Sequence, residues 1–101
     1  MSNSGPHAQI ARKIRSVETA RTELVQQVAE VFRALQSGNE REIIQTLGGL
    51  VGISYFLGSQ MGISLSAIDR EVQTGLPRSL GQSTANQVDF EAVQQYLDSQ
   101  R

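Results

Sequence analysis

The segment of residues 43–63, IIQTLGGLVGISYFLGSQMGI, constrains the fold most, because it is long, apolar and free of charge and proline. Asn39, followed three residues later by Glu42, resembles a capping box and predicts that a helix begins just after Asn39. Residues recur at steps of four and three, which is the spacing of one stripe along a helix: Ile43, Leu47, Leu50, Ser54, Leu57 and Met61. Apolar residues also lie off this stripe, which predicts burial by other helices on several sides.

Glycines are unusually frequent in this predicted helix, at positions 48, 49, 52 and 58, and each costs up to about 1 kcal/mol in a helix interior. The spacing Gly48-x-x-x-Gly52 predicts the close approach of a neighbouring helix. A chain of 101 residues is one small domain with limited burial. We therefore expect a homo-oligomer, a dimer or a dimer of dimers, packed through Gly48, Gly52, Leu47, Leu50 and Leu57.

Composition narrows the classes of function. The formal net charge of −1 gives no general attraction to nucleic acid or anionic lipid. The absence of cysteine excludes disulfides, thiolate nucleophiles and cysteine-ligated metals. The polar residues of the central segment leave an apolar part of about 17 residues, at the lower end of the membrane-spanning range. The N-terminal residues have no apolar signal core, so we expect a cytoplasmic protein without a membrane span.

Residues 1–7 are predicted to form a disordered tail, in which His7 has no second metal ligand nearby. Residues 8–36 predict a long first helix that ends at Gly38. Its apolar stripe has heptad spacing and is interrupted by Arg21, whose charge could snorkel, pair across an interface or contact an anion. The stripe comprises Ile10, Ile14, Val17, Arg21, Leu24, Val28, Val31 and Leu35, widened by Val25 and Phe32.

Two shorter helices are predicted towards the C-terminus. Ser64 or Ser66 caps the first, which Gly75 and Pro77 end. Residues 77–87 read as a linker, and Asp89 is predicted to cap the last helix. The fold class is thus an all-α bundle of two long antiparallel helices and two short C-terminal helices, with a helical domain over residues 8–76 and a linker and helix over 77–101.

Catalytic motifs are scarce. The glycines match neither phosphate-binding loop pattern, and no nucleophile–histidine–acid set is present, so no catalytic residue is predicted. Glu23 and Glu30 share one face of the first helix and are the candidate metal ligands. Magnesium sites on bundles usually draw carboxylates from two helices. The second helix offers none beyond Glu42.

Residues 22–40, TELVQQVAEVFRALQSGNE, and 47–72, LGGLVGISYFLGSQMGISLSAIDREV, resemble the MazG-like family, near the all-α nucleoside triphosphate pyrophosphohydrolases. The resemblance includes the Gly-Ile-Ser turn at residues 62–64. It implies an oligomeric helical bundle. Catalytic members carry two acidic pairs that bind magnesium, and here Glu23 matches the first position whereas Gln26, Thr46 and Gly49 stand at the others. The resemblance therefore implies the fold with degenerate metal-binding motifs.

The same region also resembles a DNA-binding helix-turn-helix, through Gly58, Gly62 and Ile68. Ser64, Ser66 and Arg70 would then contact DNA, although Asp69 and Glu71 would repel phosphates.

The resulting hypothesis is a degenerate MazG-like protein acting as a non-catalytic interaction or nucleotide-sensing module without a cofactor. The alternatives are a magnesium-dependent pyrophosphohydrolase with a reduced metal site, and a helix-turn-helix regulator. We expect no membrane partner, regard nucleic acid as disfavoured, and keep a nucleotide ligand open.

Overall fold

The computed structural model of the protein describes residues 5–100. All regular elements in this range are helices, which confirms the all-α fold class. They are α1 (Pro6–Ser37), α2 (Glu40–Gln60), α3 (Leu65–Thr74), a short 3-10 helix (Arg78–Gly81) and α4 (Thr84–Ser99). The chain divides into two compact units, one ending at Ser64 and the other beginning at Leu65. The predicted tail lies partly outside the described residues, and within them Pro6 and His7 form the start of α1.

A tight turn joins α1 to α2 and makes the two helices an antiparallel hairpin. Gly38 adopts φ 71°, a left-handed conformation that suits glycine, and its N–H donates to Ala34 O at 3.1 Å. The predicted cap is confirmed, because Asn39 Oδ1 accepts from Glu42 N at 3.0 Å. The capping box is not reciprocal, since the Glu42 carboxylate accepts instead from Ser37 Oγ at 3.1 Å. The turn thus fixes where α2 begins.

The contact between α1 and α2 follows a regular seam. On α1, residues at alternating steps of three and four are buried or half-buried: Val17, Ala20, Leu24, Gln27, Val31 and Ala34. On α2, the half-buried residues follow the same spacing: Ile43, Thr46, Leu50, Ile53, Leu57 and Gln60. Among the described apolar residues, Ala20 and Ala34 are the most deeply buried, each 4% exposed. Small side chains therefore set the distance between the helices, and the hairpin encloses little core.

A second set of apolar side chains lies beside the seam and is exposed; we refer to it as the apolar face. It comprises Ile14, Val25, Val28, Phe32 and Leu35 on α1, and Ile44, Leu47, Val51 and Met61 at α2. Successive residues of an α-helix are about 100° apart around its axis. The residues of the apolar face are therefore rotated by up to about 100° from the seam around each helix axis, in the same sense on both helices. Because the helices run antiparallel, equal rotations bring both sets to the same side of the hairpin.

Each stripe predicted from the sequence is divided between the seam and the apolar face. On α1, Val17, Leu24 and Val31 belong to the seam, whereas Val28 and Leu35 belong to the apolar face. The same division on α2 leaves Leu50 and Leu57 in the seam. The seam is completed by small or polar residues that a hydrophobic pattern does not reveal. Neither helix therefore presents one apolar stripe to one neighbour.

The second unit contains α3, the 3-10 helix and α4. α3 begins at Leu65, directly after Ser64, so Ser66 lies within its first turn. Gln94 Nε2 donates to Gln73 O at 2.8 Å and ties α4 to α3. A Cβ at Gly81 would lie 2.9 Å from Phe90 Cγ, which shows how closely the 3-10 helix packs on α4.

The prediction that Asp89 caps the last helix is wrong. α4 begins at Thr84, and its cap is Ser83, whose Oγ accepts from Ala85 N at 3.2 Å. The segment expected to be a linker also contains the 3-10 helix Arg78–Gly81. The first turn of α4 has no large apolar residue, so no apolar period marked its start before Val88.

Candidate functional site

A groove runs along the hairpin on the side opposite the apolar face. It encloses about 520 Å³, and its surface is mostly apolar. α1 contributes Ser16, Thr19, Ala20 and Glu23, and α2 contributes Gly49, Gly52, Ile53 and Phe56. The glycines leave a gap on the α2 side, because a helix without side chains at these positions has a recessed surface. Glu23 is the charged group among the lining residues.

Gln27 occupies the seam beside this groove. Its Nε2 donates to Thr46 O at 2.9 Å, so the amide bridges α1 and α2. A Cβ at Gly49 would collide with the same amide, lying 3.0 Å from Gln27 Cδ and closer still to Nε2. The close approach expected from the glycines therefore falls at Gly49, and it accommodates a side chain of α1. Added Cβ atoms at Gly48 and Gly52 would meet nothing within 4 Å.

The positions where family resemblance implies metal ligands hold no converging carboxylates. Thr46 Oγ1 donates to Glu42 O at 2.9 Å and to Ile43 O at 3.1 Å, which are backbone bonds within α2. Glu23 lies in the groove, one turn from Gln27 along α1. Within residues 5–100, no group of three or more His, Cys, Asp or Glu residues is placed to hold a metal ion.

Glu30 lies one turn beyond Gln27 and is engaged by Arg33. The two side chains form an exposed ion pair one helical turn apart. The hydrogen bond from the guanidinium to the Glu30 carboxylate, reinforced by the charge of that carboxylate, raises the pKa of Arg33. Because this pair is exposed, it contributes little to the stability of the fold. It also occupies the Glu30 carboxylate, which a metal would need as a ligand.

The other predicted site residues lie apart from the groove. Arg21 is exposed and occupies the stripe of the apolar face between Ile14 and Val25. Ser64, Ser66 and Arg70 are exposed at or in α3, where Asp69 and Glu71 flank Arg70 with negative charge. Of the predicted packing residues, Leu47 lies on the apolar face, and Leu50 and Leu57 lie in the seam of the same chain.

Gln27 is the residue that sequence reasoning missed. The family pattern directed attention to its neighbour Gln26, which is exposed. The sequence did contain a signal for Gln27: Ala20, Gln27 and Ala34 are spaced by seven residues and so lie on one line along a helix. Two small residues flanking one glutamine along that line indicate a helix contact with a polar bridge at its centre.

The second unit contains a polar cavity of about 650 Å³ between the 3-10 helix and the helices α3 and α4. Glutamines at positions 73, 82, 87 and 94 line it, together with Arg78, Phe90, Glu91 and Asp98. Several of these groups bond one another; Gln87 Nε2, for example, donates to Glu91 Oε1 at 3.3 Å. The cavity thus consists largely of side chains that already have polar partners.

None of the helices in residues 5–100 is both long and apolar enough to cross a bilayer. The central α2 is interrupted by polar residues and glycines, as the sequence indicated.

Comparison with known proteins identifies the family. The sequence model of the MazG-like family matches residues 10–92. Neither the curated proteins nor the solved structures contain a match. The matched region includes the whole of α2, the Gln27 seam, the groove and α3, and it reaches into α4. Because this match covers most of its length, the chain belongs to the MazG-like family.

Proposed function

We propose that this MazG-like protein is a non-catalytic interaction module. The observation that carries the proposal is the Gln27 amide in the seam, bonded to Thr46 O and filling the space beside Gly49. This is the place where carboxylates from two helices would have to converge on magnesium. An amide NH₂ is a hydrogen-bond donor and carries no charge, so it cannot replace an anionic oxygen ligand.

The residues present do not fit a magnesium site. Magnesium requires oxygen ligands in near-octahedral geometry, anchored by carboxylates. Glu23 supplies one carboxylate to the groove, and Glu30 is paired with Arg33. The opposite wall consists of Gly49, Gly52 and Ile53, which have no side-chain oxygen. Pyrophosphate release from a nucleoside triphosphate needs a metal to neutralise phosphate charge and orient the attacking water, and the single groove carboxylate of Glu23 is too few ligands to anchor one.

The apolar face supports a role in binding another protein. Soluble monomers rarely expose a large contiguous apolar patch, and such patches commonly mark interaction sites. Here Val25 is 70% exposed, Phe32 65% and Ile44 62%, all on the same side of the hairpin. Covering these side chains is therefore a stronger driving force than polar recognition in the groove, where Glu23 is the charged group.

A pyrophosphate-release assay tests the proposal. The protein is incubated with a panel of common and modified nucleoside triphosphates, in magnesium and separately in manganese. We expect no release above the protein-free control for the wild type or for Glu23→Gln. Turnover that is abolished by Glu23→Gln would contradict the proposal and show that this carboxylate holds a metal.

Nucleotide sensing is distinguished by a binding measurement on the same panel. A ligand that binds the native state raises its melting temperature by mass action. We expect no concentration-dependent shift with any nucleotide. A reproducible rise in the melting temperature without turnover would indicate a nucleotide-sensing role in addition to, or instead of, the proposed interaction role.

A further inference from the structure

We propose that the polar cavity of the second unit binds a zwitterion of the amino-acid class, either a short peptide or a free amino acid. The carboxylate of this ligand contacts Arg78, and its ammonium group contacts the carboxylates of α4. The cavity encloses about 650 Å³, a size that is usual for small-molecule sites. It shares no lining residue with the apolar face or with the groove of the hairpin, so this proposal is independent of the proposed function.

The walls of the cavity are held together by contacts within the second unit. Gln94 Nε2 donates to Gln73 O at 2.8 Å, which joins α4 to the end of α3. The 3-10 helix packs so closely on α4 that a Cβ at Gly81 would lie 2.9 Å from Phe90 Cγ. Leu76 and Phe90, both half-buried, supply apolar surface to the cavity. Because these contacts are present without a ligand, binding requires little further ordering of the walls.

Arg78 carries the positive charge among the residues that line the cavity. Within the part of the chain that the structure describes, its guanidinium forms neither an ion pair nor a hydrogen bond. A guanidinium presents a planar set of N–H donors that matches the two oxygens of a carboxylate. Arg78 is therefore available to a carboxylate that enters from solvent.

The α4 wall supplies the opposite charge. Its lining residues follow steps of four, three and four, so they lie on one line of the helix: Gln87, Glu91, Gln94 and Asp98. Gln87 Nε2 donates to Glu91 Oε1 at 3.3 Å, and Gln94 Nε2 donates to Asp98 Oδ1 at 3.4 Å. A glutamine amide orients a carboxylate but does not cancel its charge. Since both amides use Nε2 in these bonds, their Oε1 atoms are the acceptors that they offer to N–H groups of a ligand.

The two signs of charge select the class of ligand. A phosphate or another pure anion would be attracted by Arg78 and repelled by Glu91 and Asp98, and a polyamine would meet the reverse. A molecule with one carboxylate and one ammonium group places each charge against its opposite. Peptide groups between the two charges can pair with the glutamine amides, which offer both donors and acceptors. The chemistry of the cavity therefore favours the amino-acid class over nucleotides and polyamines.

Peptides that lack one charge test the assignment on the whole chain. Trialanine, trialanine amide and N-acetyltrialanine are titrated by NMR into the wild-type protein; the amide lacks the carboxylate and the acetylated peptide lacks the ammonium group. We expect saturable binding of trialanine and an affinity about 10-fold lower for each derivative, since hydrogen bonds to charged groups are the stronger ones. Alanine, alaninamide and N-acetylalanine form a parallel series, and the series that binds more tightly identifies whether the source is a peptide or a free amino acid.

The outcomes that overturn the proposal are defined on the wild type. Neither trialanine nor alanine saturating by about 10 mM, which corresponds to a dissociation constant weaker than millimolar, would overturn it. Equal affinities for the free, amidated and acetylated forms of both series would also do so. So would chemical-shift changes confined to the hairpin groove around Phe56.

Charge variants then assign each end of the ligand to its residues. Arg78→Gln should abolish the preference for the free carboxylate over the amide, and Glu91→Gln combined with Asp98→Asn should abolish the preference for the free ammonium group. Arg70→Gln is the matched control, because Arg70 is an exposed arginine of α3 that does not line the cavity. A carboxylate preference that survives in Arg78→Gln, or that is lost in Arg70→Gln, would overturn the proposal. Circular dichroism checks that each variant keeps its helices, and the peptide derivatives on the wild type decide the question if one does not.

Discussion

The two sides of the α1–α2 hairpin are built from the same two helices and differ in what their side chains can do. On the apolar face, bulky residues such as Phe32 and Leu47 project into solvent. On the groove side, Gly49 and Gly52 recess the surface, and Glu23 adds one charge. The first surface gains free energy when another apolar surface covers it. The second has room for a ligand but few groups that could hold one, so assembly and chemistry are separated on this fold.

The seam between the two sides is closed by small and uncharged side chains. Ala20 and Ala34 allow α2 to approach α1 closely, and Gln27 lies between them on the same line of α1. The space left by Gly49 is taken by that amide. The Gln27 amide therefore joins the two helices at the point where Gly49 leaves room for it.

The largest expected effect comes from truncating one phenylalanine on each side. Phe32 and Phe56 are similarly exposed in the single chain, 65% and 58%. If the apolar face is covered in the native assembly, Phe32→Ala should weaken that assembly by about 2–4 kcal/mol, as truncation of a buried aromatic anchor does. Phe56→Ala should cost less than about 1 kcal/mol, because it removes an exposed side chain.

Urea unfolding at several protein concentrations measures this difference, since only dimer-linked stability depends on concentration. Equal losses for the two variants would remove the distinction between the two sides of the hairpin.

A smaller effect is expected at neighbouring glycines of α2. Gly48→Ala should raise the free energy of unfolding by about 0.5–1 kcal/mol, because alanine is the better helix former and its Cβ meets no other atom within 4 Å. Gly49→Ala gains the same propensity but displaces the Gln27 amide from Thr46 O, a loss of about 0.5–1.5 kcal/mol. The two effects should nearly cancel at position 49.

A double-mutant cycle isolates the role of Gln27. In a Gln27→Ala background, Gly49→Ala should recover the gain seen for Gly48→Ala. If Gly49→Ala stabilises the protein equally with and without Gln27, the amide does not bridge the helices in solution.

Much of the fold was accessible from the sequence, because its strongest signals are local. The apolar run of α2, the Asn39 cap and the glycine at position 38 predicted the hairpin correctly. The start of α4 was not accessible, because residues 84–87 include no large apolar residue and Asp89 resembles a cap although it lies inside the helix. Hydrophobic periodicity detects a helix only where an apolar face exists.

The site was less accessible than the fold, for a related reason. An apolar pattern shows that residues such as Val17 and Val28 are on the inner half of α1, but it cannot tell which of them faces α2 and which faces outward. That division depends on small and polar residues, Ala20 and Gln27, which periodicity does not count. The family resemblance predicted degenerate metal-binding motifs, and it gave no sign of the Gln27 amide that bonds to Thr46 O between the two helices.

The smallest expected effect concerns Arg21, which lies on the stripe of the apolar face between Ile14 and Val25. If its stem lies against apolar neighbours in a dimer interface, replacing Arg21 by an apolar residue extends the covered surface. Arg21→Leu should then leave the assembly intact and strengthen it by up to about 1 kcal/mol, since an ion near an apolar contact often costs more than a hydrophobic replacement.

Arg15→Leu, which makes the same change on a surface turned away from the face, should leave the dissociation constant unchanged. Sedimentation equilibrium of both variants, at low salt and with added phosphate, gives the two constants. Dissociation on Arg21→Leu, or an assembly that phosphate strengthens only when Arg21 is present, would instead indicate an anion bound between the subunits.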